Sequence, residues 1–309
     1  MARVHKKHHK IPSTYLEGFV NSKGVIWIGD EKLKIYPSKP KSILSEGDYY
    51  TIRFPSGGGT LVVETKFLNG IESTYAKLYR EKISQKKELS KEDKAKLAIF
   101  VASMMERQPG KRESLEKFFK DVEELANHMR GLSDETKKRM ASMPKSNSSK
   151  AIPVDDILRA GKDVGSLHSS LIPGTVKFLA PIIFDMKWVF MLRPSNSVPF
   201  ITSDNPCILA NPAAEAKFGP GTFGAAPGFI QKDIELSLPL SSDIALFCGR
   251  KLEMDCIYMP VDSKLVEDIN RRTKRSARII LCSDKSVIEK MAKRVRLYKK
   301  SKRTGSKKL

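Results

Sequence analysis

Ser90-Lys-Glu-Asp93-Lys-Ala-Lys-Leu97-Ala-Ile-Phe100-Val101-Ala-Ser-Met104-Met105-Glu-Arg107-Gln108-Pro109 is the stretch on which the fold turns. Ser90 with Asp93 three residues later is close to a helix capping box, with Asp in place of the usual Glu. Behind it, Leu97, Phe100, Val101, Met104 and Met105 recur at the i, i+3, i+4 spacing of a helix with one buried face. Pro109 stops this helix, because the residue before a proline avoids helical backbone. Arg107 therefore stands at the C-terminal end, where the helix dipole favours a cation. A guanidinium there can grip a phosphate through two parallel hydrogen bonds. The plainer role is a structural pair with Glu72, which heads its own helix.

Helices continue outward from this stretch. One is read over 71–87. A third carries Leu115, Phe118, Phe119, Val122, Leu125 and Met129, with Gly131 as its cap, and its stripe reads as core. Residues 145–150 (Lys-Ser-Asn-Ser-Ser-Lys) read as a flexible link. Pro153-Val154-Asp155-Asp156 opens a further helix, whose carboxylates suit its first turn. On the N-terminal side a short helix is read over 13–20. Val25–Ile28 and Leu33–Tyr36 flank Gly29-Asp30 as a hairpin. Strands over 48–54 and 60–63 surround Gly57-Gly58-Gly59, which lacks the Lys and Ser/Thr of a phosphate-binding loop and reads as a hairpin tip.

From about 175 onward the pattern changes to strands, at 187–192, 198–202, 234–238, 244–248 and 277–282, with a helix over 262–274. Residues 211–229, rich in Gly, Ala and Pro, read as a long mobile loop. The expected class is α+β, with a helical middle and mainly antiparallel strands from both ends meeting in one sheet. The expected organisation is one domain over 1–288, or two lobes joined near 145–150, with a basic tail at 289–309.

A hydrophobic content of 40% and a charged content of 29% describe an ordinary globular chain, not a disordered one. The longest apolar run, Phe178 to Phe184, falls short of the roughly 20 residues of a membrane span, so no integral membrane segment is expected. Cations near the start have no apolar stretch behind them, unlike a secretion signal. Cys207, Cys248, Cys256 and Cys282 stand far apart without a Cys-x-x-Cys pair, which argues against a zinc site of usual spacing and for reduced thiols in the cytoplasm. The net charge of +21 is uneven: residues 290–309 hold ten Lys or Arg and no acid. Arg271, Arg272, Lys274, Arg275 and Arg278 form a second cluster. Nucleic acid is the first partner such charge suggests, with acidic lipid behind it and a solvated tail as the plain alternative.

Three of the five histidines fall in His5-Lys-Lys-His8-His9-Lys10-Ile11-Pro12. On an extended segment His8 and His9 point to opposite faces, so one works while the other anchors. The working member is a metal ligand or a general acid/base; its plain role is to donate to a backbone carbonyl and pin the arm. Asp204-Asn205-Pro206 follows a strand and suits a turn, yet a carboxylate beyond a strand end can also bind a divalent ion or orient a histidine. Asn270 is unhelpful inside a helix and invites a bond to the arm or to the Asp204 turn. His128 and His168 stand alone and read as surface or core residues.

These segments form a pattern: His8-His9-Lys10-Ile11-Pro12 with Tyr15-Leu16-x-x-Phe19, Gly24-Val25-Ile26-Trp27, Lys39-Pro40-Lys41-Ser42, Glu72 and Arg107-Gln108-Pro109. Thr202-Ser203-Asp204-Asn205-Pro206, Leu238-Pro239-Leu240-Ser241 and Asp268-Ile269-Asn270 complete it. The chain resembles, from His8 to about Ser283, the mostly bacterial family called domain of unknown function 4238. Arg107-Gln108 departs from it, standing where the family pattern has Gln, a few residues, then Arg. The resemblance implies a set of residues and no reaction.

The leading expectation is a nuclease or other phosphodiester-directed hydrolase, in a phage-defence or toxin setting suggested by the family's sporadic bacterial character. His8 or His9 serves as base or ligand, Asp204 as ligand or orienter, and Arg107 as phosphate clamp. Glu72 and Gln108 support them, and Asn205, Asn270, Arg271, Arg272, Lys274 and Arg275 contact substrate. His9 and Asp204 are the expected metal pair, for Mg or Mn by the carboxylate and Mn or Zn by the imidazole. The alternatives are a non-catalytic nucleic-acid-binding protein using its basic C-terminal region, and an enzyme for another phosphorylated substrate.

Overall fold

The structure, a computed structural model, describes residues 7–142, 152–219 and 227–292. Its strands are β1 (Lys7–His9), β2 (Ile26–Gly29), β3 (Ile35–Ser38), β4 (Ser45–Gly47), β5 (Ile52–Arg53), β6 (Gly59–Thr60) and β7 (Lys187–Leu192). They continue with β8 (Thr202–Ser203), β9 (Ile208–Ala210), β10 (Glu235–Pro239), β11 (Ile244–Gly249), β12 (Ile257–Pro260) and β13 (Ile280–Cys282). The helices are α1 (Ser13–Leu16), α2 (Asn69–Leu78), α3 (Lys91–Glu106), α4 (Pro109–Arg130) and α5 (Asp134–Ala141). After them come α6 (Val154–Gly161), α7 (Val164–Phe184), α8 (Pro212–Phe218) and α9 (Ser263–Arg275). The class is α+β.

N-terminal and C-terminal parts of the described residues meet in one sheet. Its order is β3-β2-β13-β8, so β13 lies between the β2–β3 hairpin and a strand from the middle of the chain. Ile280 stands opposite Gly29 on one side and Ser203 on the other. A second sheet, β12-β7-β11-β10-β9, is antiparallel except where β12 runs parallel to β7. The arm strand β1 pairs with β4, placing His8 opposite Glu46. Tyr15 of α1 is fully buried, and its hydroxyl lies 2.8 Å from Thr202 Oγ1 and 2.6 Å from the Pro239 carbonyl. One side chain thus links the arm to both sheets.

Local chemistry explains why α3 begins where it does. Ser90 Oγ accepts from Asp93 N at 3.1 Å while the Asp93 carboxylate accepts from Ser90 N at 3.1 Å, a complete capping box. The apolar face of α3 is buried as expected and packs along α7. Pro109 acts at both sides of the junction, ending α3 and serving as the first residue of α4.

Four expectations need correction. The stripe of α4 is not core: Phe118, Leu125 and Met129 are exposed. Residues 60–63 do not form a strand beyond Thr60, because π-helical turns begin at Val63 and run into α2. Strand character does not start at 175, because α7 runs to Phe184 with Pro173 and Pro181 inside it. The prolines cost the helix backbone bonds, and packing of its buried Ile172, Val176 and Ile183 offsets that cost. The segment 211–229 is not wholly loop: Asn211 Oδ1 accepts from Ala214 N at 3.0 Å and starts α8. The link at 145–150 and the tail from 293 lie outside the described residues.

Among the described residues α7 is the one helix long and apolar enough to cross a membrane. Ser166, His168 and Ser169 on it are buried and bonded within the protein, and on that face it packs along α3, while Leu171 and Phe178 are exposed.

Candidate functional site

The arm, α2 and α3 converge on Arg107, whose side chain has no exposed surface. Its Nε donates to Tyr50 Oη at 3.1 Å and its Nη1 to Glu72 Oε1 at 2.5 Å, while Nη2 donates to the His9 carbonyl. Burial alone would disfavour this charge; Tyr50, Glu72 and Glu64 outweigh it and raise the pKa above the ordinary arginine value. Burial likewise pushes the Tyr50 hydroxyl up, so it stays protonated. Arg107 is thus a cation whose fork is filled by protein groups, which leaves the Glu72 pairing and not the phosphate clamp as its observed role.

Alternation along β1 separates the two histidines. His8 is fully buried; its Nδ1 accepts from Tyr50 N at 2.9 Å, and its ring stacks on Tyr50 at 5.9 Å between centroids. A nitrogen that accepts an amide proton carries none itself, so this contact fixes His8 as the Nε2–H tautomer. His9 lies on the other face, with Nε2 3.1 Å from the Lys41 carbonyl. It pins the arm to the turn before β4.

Asp204 is buried, and burial raises its carboxyl pKa. Its Oδ1 accepts from Arg278 N at 3.1 Å and Ile279 N at 3.2 Å, which aims the chain into β13. Asn205 Nδ2 reaches the Ser276 carbonyl at 3.3 Å. Asn270 accepts from Ile201 N and donates to the Pro199 carbonyl, both at 2.9 Å, while Phe200 N reaches the Ser242 carbonyl at 3.0 Å, so a side chain and a loop serve residues 199–201 in place of a paired strand. This is why the expected strand there shrinks to Thr202–Ser203. Gln108 Nε2 donates to the Cys207 carbonyl at 2.9 Å and ties the α3–α4 junction to the turn after Asp204.

The pair expected as metal ligands, His9 and Asp204, is engaged by backbone groups. Among the described residues no three His, Cys, Asp or Glu side chains are grouped to hold a metal ion. The basic cluster is also tied down. Arg271 pairs with Asp268, and Arg272 with Asp268 at 2.9 Å and Glu235 at 2.6 Å. Arg275 meets Glu215 at 3.3 Å, Arg278 meets Glu113 at 2.5 Å, and Lys274 Nζ bonds the Met291 carbonyl at 2.8 Å. The exposed members of this set are weak, exchangeable pairs.

Most of the motif residues therefore meet backbone of distant segments. A family model described as protein of unknown function (DUF4238) matches residues 7–292. The chain belongs to this family. His8, Glu72, Arg107, Asp204 and Asn270, singled out in the sequence, are points where the arm, helices and sheets of this DUF4238 chain are fastened. No curated protein and no solved structure matches the chain.

Sequence reasoning missed Tyr50, Lys94 and the packing of His168. Lys94 occupies the i−3 position of the Leu97, Val101 stripe, and that placement was the available signal. His168 is core, with Nε2 3.1 Å from the Glu106 carbonyl and the Tyr49 ring edge-on at 6.4 Å. Burial holds its pKa below the usual 6.5. The unfolded chain takes up this proton near pH 6.5 and the folded chain only lower, so stability falls as pH drops below 6.5 and levels off beneath the folded value. His168→Gln keeps a donor for Glu106 and is expected to remove this contribution. Urea midpoints at about pH 7 and about pH 5 check it; an unchanged difference between the two pH values in the variant would refute the assignment.

Proposed function

We propose that this protein binds nucleic acid without cleaving it, chiefly through its basic C-terminal region. The observation that carries this is the charge: +21 overall, with ten cations and no acid in residues 290–309. A segment whose charged side chains are all cations repels itself, and a polyanion relieves that repulsion. The cations of α9 add exchangeable contacts, since their exposed ion pairs are weak enough for phosphate to replace. A non-catalytic role agrees with the engagement of His8, His9, Arg107 and Asp204 by protein groups. Four free cysteines accord with a cytoplasmic location.

The test uses fluorescently labelled single- and double-stranded RNA and DNA, with and without Mg²⁺ or Mn²⁺. Expected are intact substrate and an affinity that falls with salt, by about 10³-fold between 50 and 200 mM if about six phosphates are contacted. Deleting residues 293–309 removes nine cations. It is expected to cost at least about tenfold in affinity and to flatten the salt dependence. His8→Ala, His9→Ala and Asp204→Ala, where folded, bind like the parent. Cleavage by the parent that these variants lose establishes the hydrolase instead, and absence of salt-dependent binding removes the nucleic-acid partner.

A further inference from the structure

α2 does not stop at Leu78; it runs on through a π-helical turn, Tyr79–Ile83, and closes at Lys86. Lys87 N donates to the Lys82 carbonyl and Lys86 N to the Ile83 carbonyl, both at 3.0 Å. This double closure is the Schellman motif. It requires left-handed backbone at its closing residue, and Lys86 has a φ of +55°. Glycine is the usual occupant, because a Cβ makes that conformation costly. The motif also brings residues 82 and 87 together, where an apolar contact is the usual filling. Here both are lysines. Three cations are thus set at one corner against backbone strain and mutual repulsion.

The local fold makes no use of them. Lysines near a helix end commonly bond the last open carbonyls. Those carbonyls are already served: Tyr79's by Ser84 N at 2.8 Å, and Arg80's by Gln85 Nε2 at 2.9 Å and Ser84 Oγ at 3.1 Å. The closure itself serves Lys82 and Ile83. The helix dipole favours a cation in the last turn but gives no reason to place one at a glycine position. Among the described residues Lys82, Lys86 and Lys87 form no ion pair, although Lys94 and Lys96 nearby pair with Asp255 and Glu92. Lys86 and Lys87 are exposed and Lys82 is half-buried. Residues 77–91 carry six cations against two carboxylates, Glu81 and Glu88. A short row of contacts joins this corner to the root of the basic tail. Tyr79 bonds Ser241, and Ser242 Oγ donates to Ser283 Oγ at 3.0 Å, just before the helical residues 285–292 that the tail follows in sequence. We infer that Lys82, Lys86 and Lys87 form a second phosphate-contacting surface for nucleic acid, separate from the tail. The inference rests on the nucleic-acid reading above. Ammonium groups are point charges suited to the phosphate backbone, so this contact is independent of base sequence.

Salt titrations of the full chain with labelled duplex DNA and duplex RNA test this. Lys82→Gln, Lys86→Gln and Lys87→Gln combined are expected to weaken binding at least about tenfold and to lower the salt slope by about three. Deleting residues 293–309 as well lowers the slope further, since the two surfaces act separately. Lys177→Gln, at an exposed position of α7, leaves affinity and slope as they are. Lys86→Gly separates backbone from charge: its urea midpoint rises, while its salt slope falls by about one. A lysine that serves only the helix end would leave the slope unmoved. Circular dichroism of each variant shows that it is folded. Unchanged affinity and slope in the triple variant, with tail-dependent binding intact, overturn this surface and leave the nucleic-acid reading standing. A parent chain that binds neither probe removes both. A Lys86→Gly chain no more stable than the parent removes the strain on which the assignment rests and overturns it.

Discussion

Arg107→Met is expected to lower the free energy of unfolding by about 3–5 kcal/mol, the range for removing one partner of a buried charge pair. Arg107 is fully enclosed and serves three acceptors that belong to three separate segments. Without it the Glu72 carboxylate, 17% exposed, loses its cation, and the His9 carbonyl and Tyr50 hydroxyl lose a donor. Methionine fills part of the volume and supplies none of these bonds. Lysine fares little better, because one ammonium cannot reproduce the planar fork that spans Tyr50, Glu72 and the arm. Combining Glu72→Gln with Arg107→Met is expected to recover part of the loss, since it removes the stranded charge. Urea unfolding of the two single variants and the double variant measures the coupling. A loss below about 1 kcal/mol for Arg107→Met would show that the hub does not hold the arm.

Lys94→Met is expected to cost about 2–3 kcal/mol, less than Arg107→Met because water reaches the stranded partner. Lys94 Nζ lies 2.8 Å from Asp255 Oδ2 and 2.9 Å from the Met186 carbonyl, beneath the Phe184 and Trp188 rings at 5.2 and 5.1 Å. Asp255 also accepts from Trp188 N at 2.9 Å, so the pair fixes the first residues of β7 against α3. Burial works against the Asp255 charge, and bonding to Lys94 and the Trp188 amide outweighs it, holding the carboxyl below its ordinary value. A depressed carboxylate pKa means stability that is present above about pH 4 and is lost as pH falls through the folded value. Lys94→Met is therefore expected to lower stability at neutral pH and to shrink the loss on acidification. Thermal melts between neutral pH and about pH 3 separate the two effects. An acid dependence identical to the parent's would contradict the assigned pairing.

The arrangement of polar residues has one physical theme. Read as isolated residue types, His8, Arg107 and Asp204 look catalytic, Gln108 looks like their support and Asn270 like a substrate contact. In the fold each satisfies backbone groups that no helix or strand can pair: the His9, Cys207 and Pro199 carbonyls and the Tyr50, Ile201, Arg278 and Ile279 amides. Short strands and long irregular connections leave many such groups buried, and an unmet one costs about 1–3 kcal/mol. Side chains that close these gaps are as constrained in identity as catalytic ones.

By itself the sequence determined whatever depends on near neighbours. The Ser90–Asp93 cap, the β2–β3 hairpin, the turn at Gly57-Gly58 and the capped start of α9 at Asp262 are closed by bonds between residues a few positions apart. Tertiary structure decided the rest. The stripes of α3 and α4 have the same helical period, yet α7 and the core cover the first while the second faces outward. Periodicity reports that a face is apolar, and only the packing of distant segments says what lies against it. Likewise the residues that meet at Arg107 lie 35, 57 and 98 positions away, beyond the reach of any local pattern.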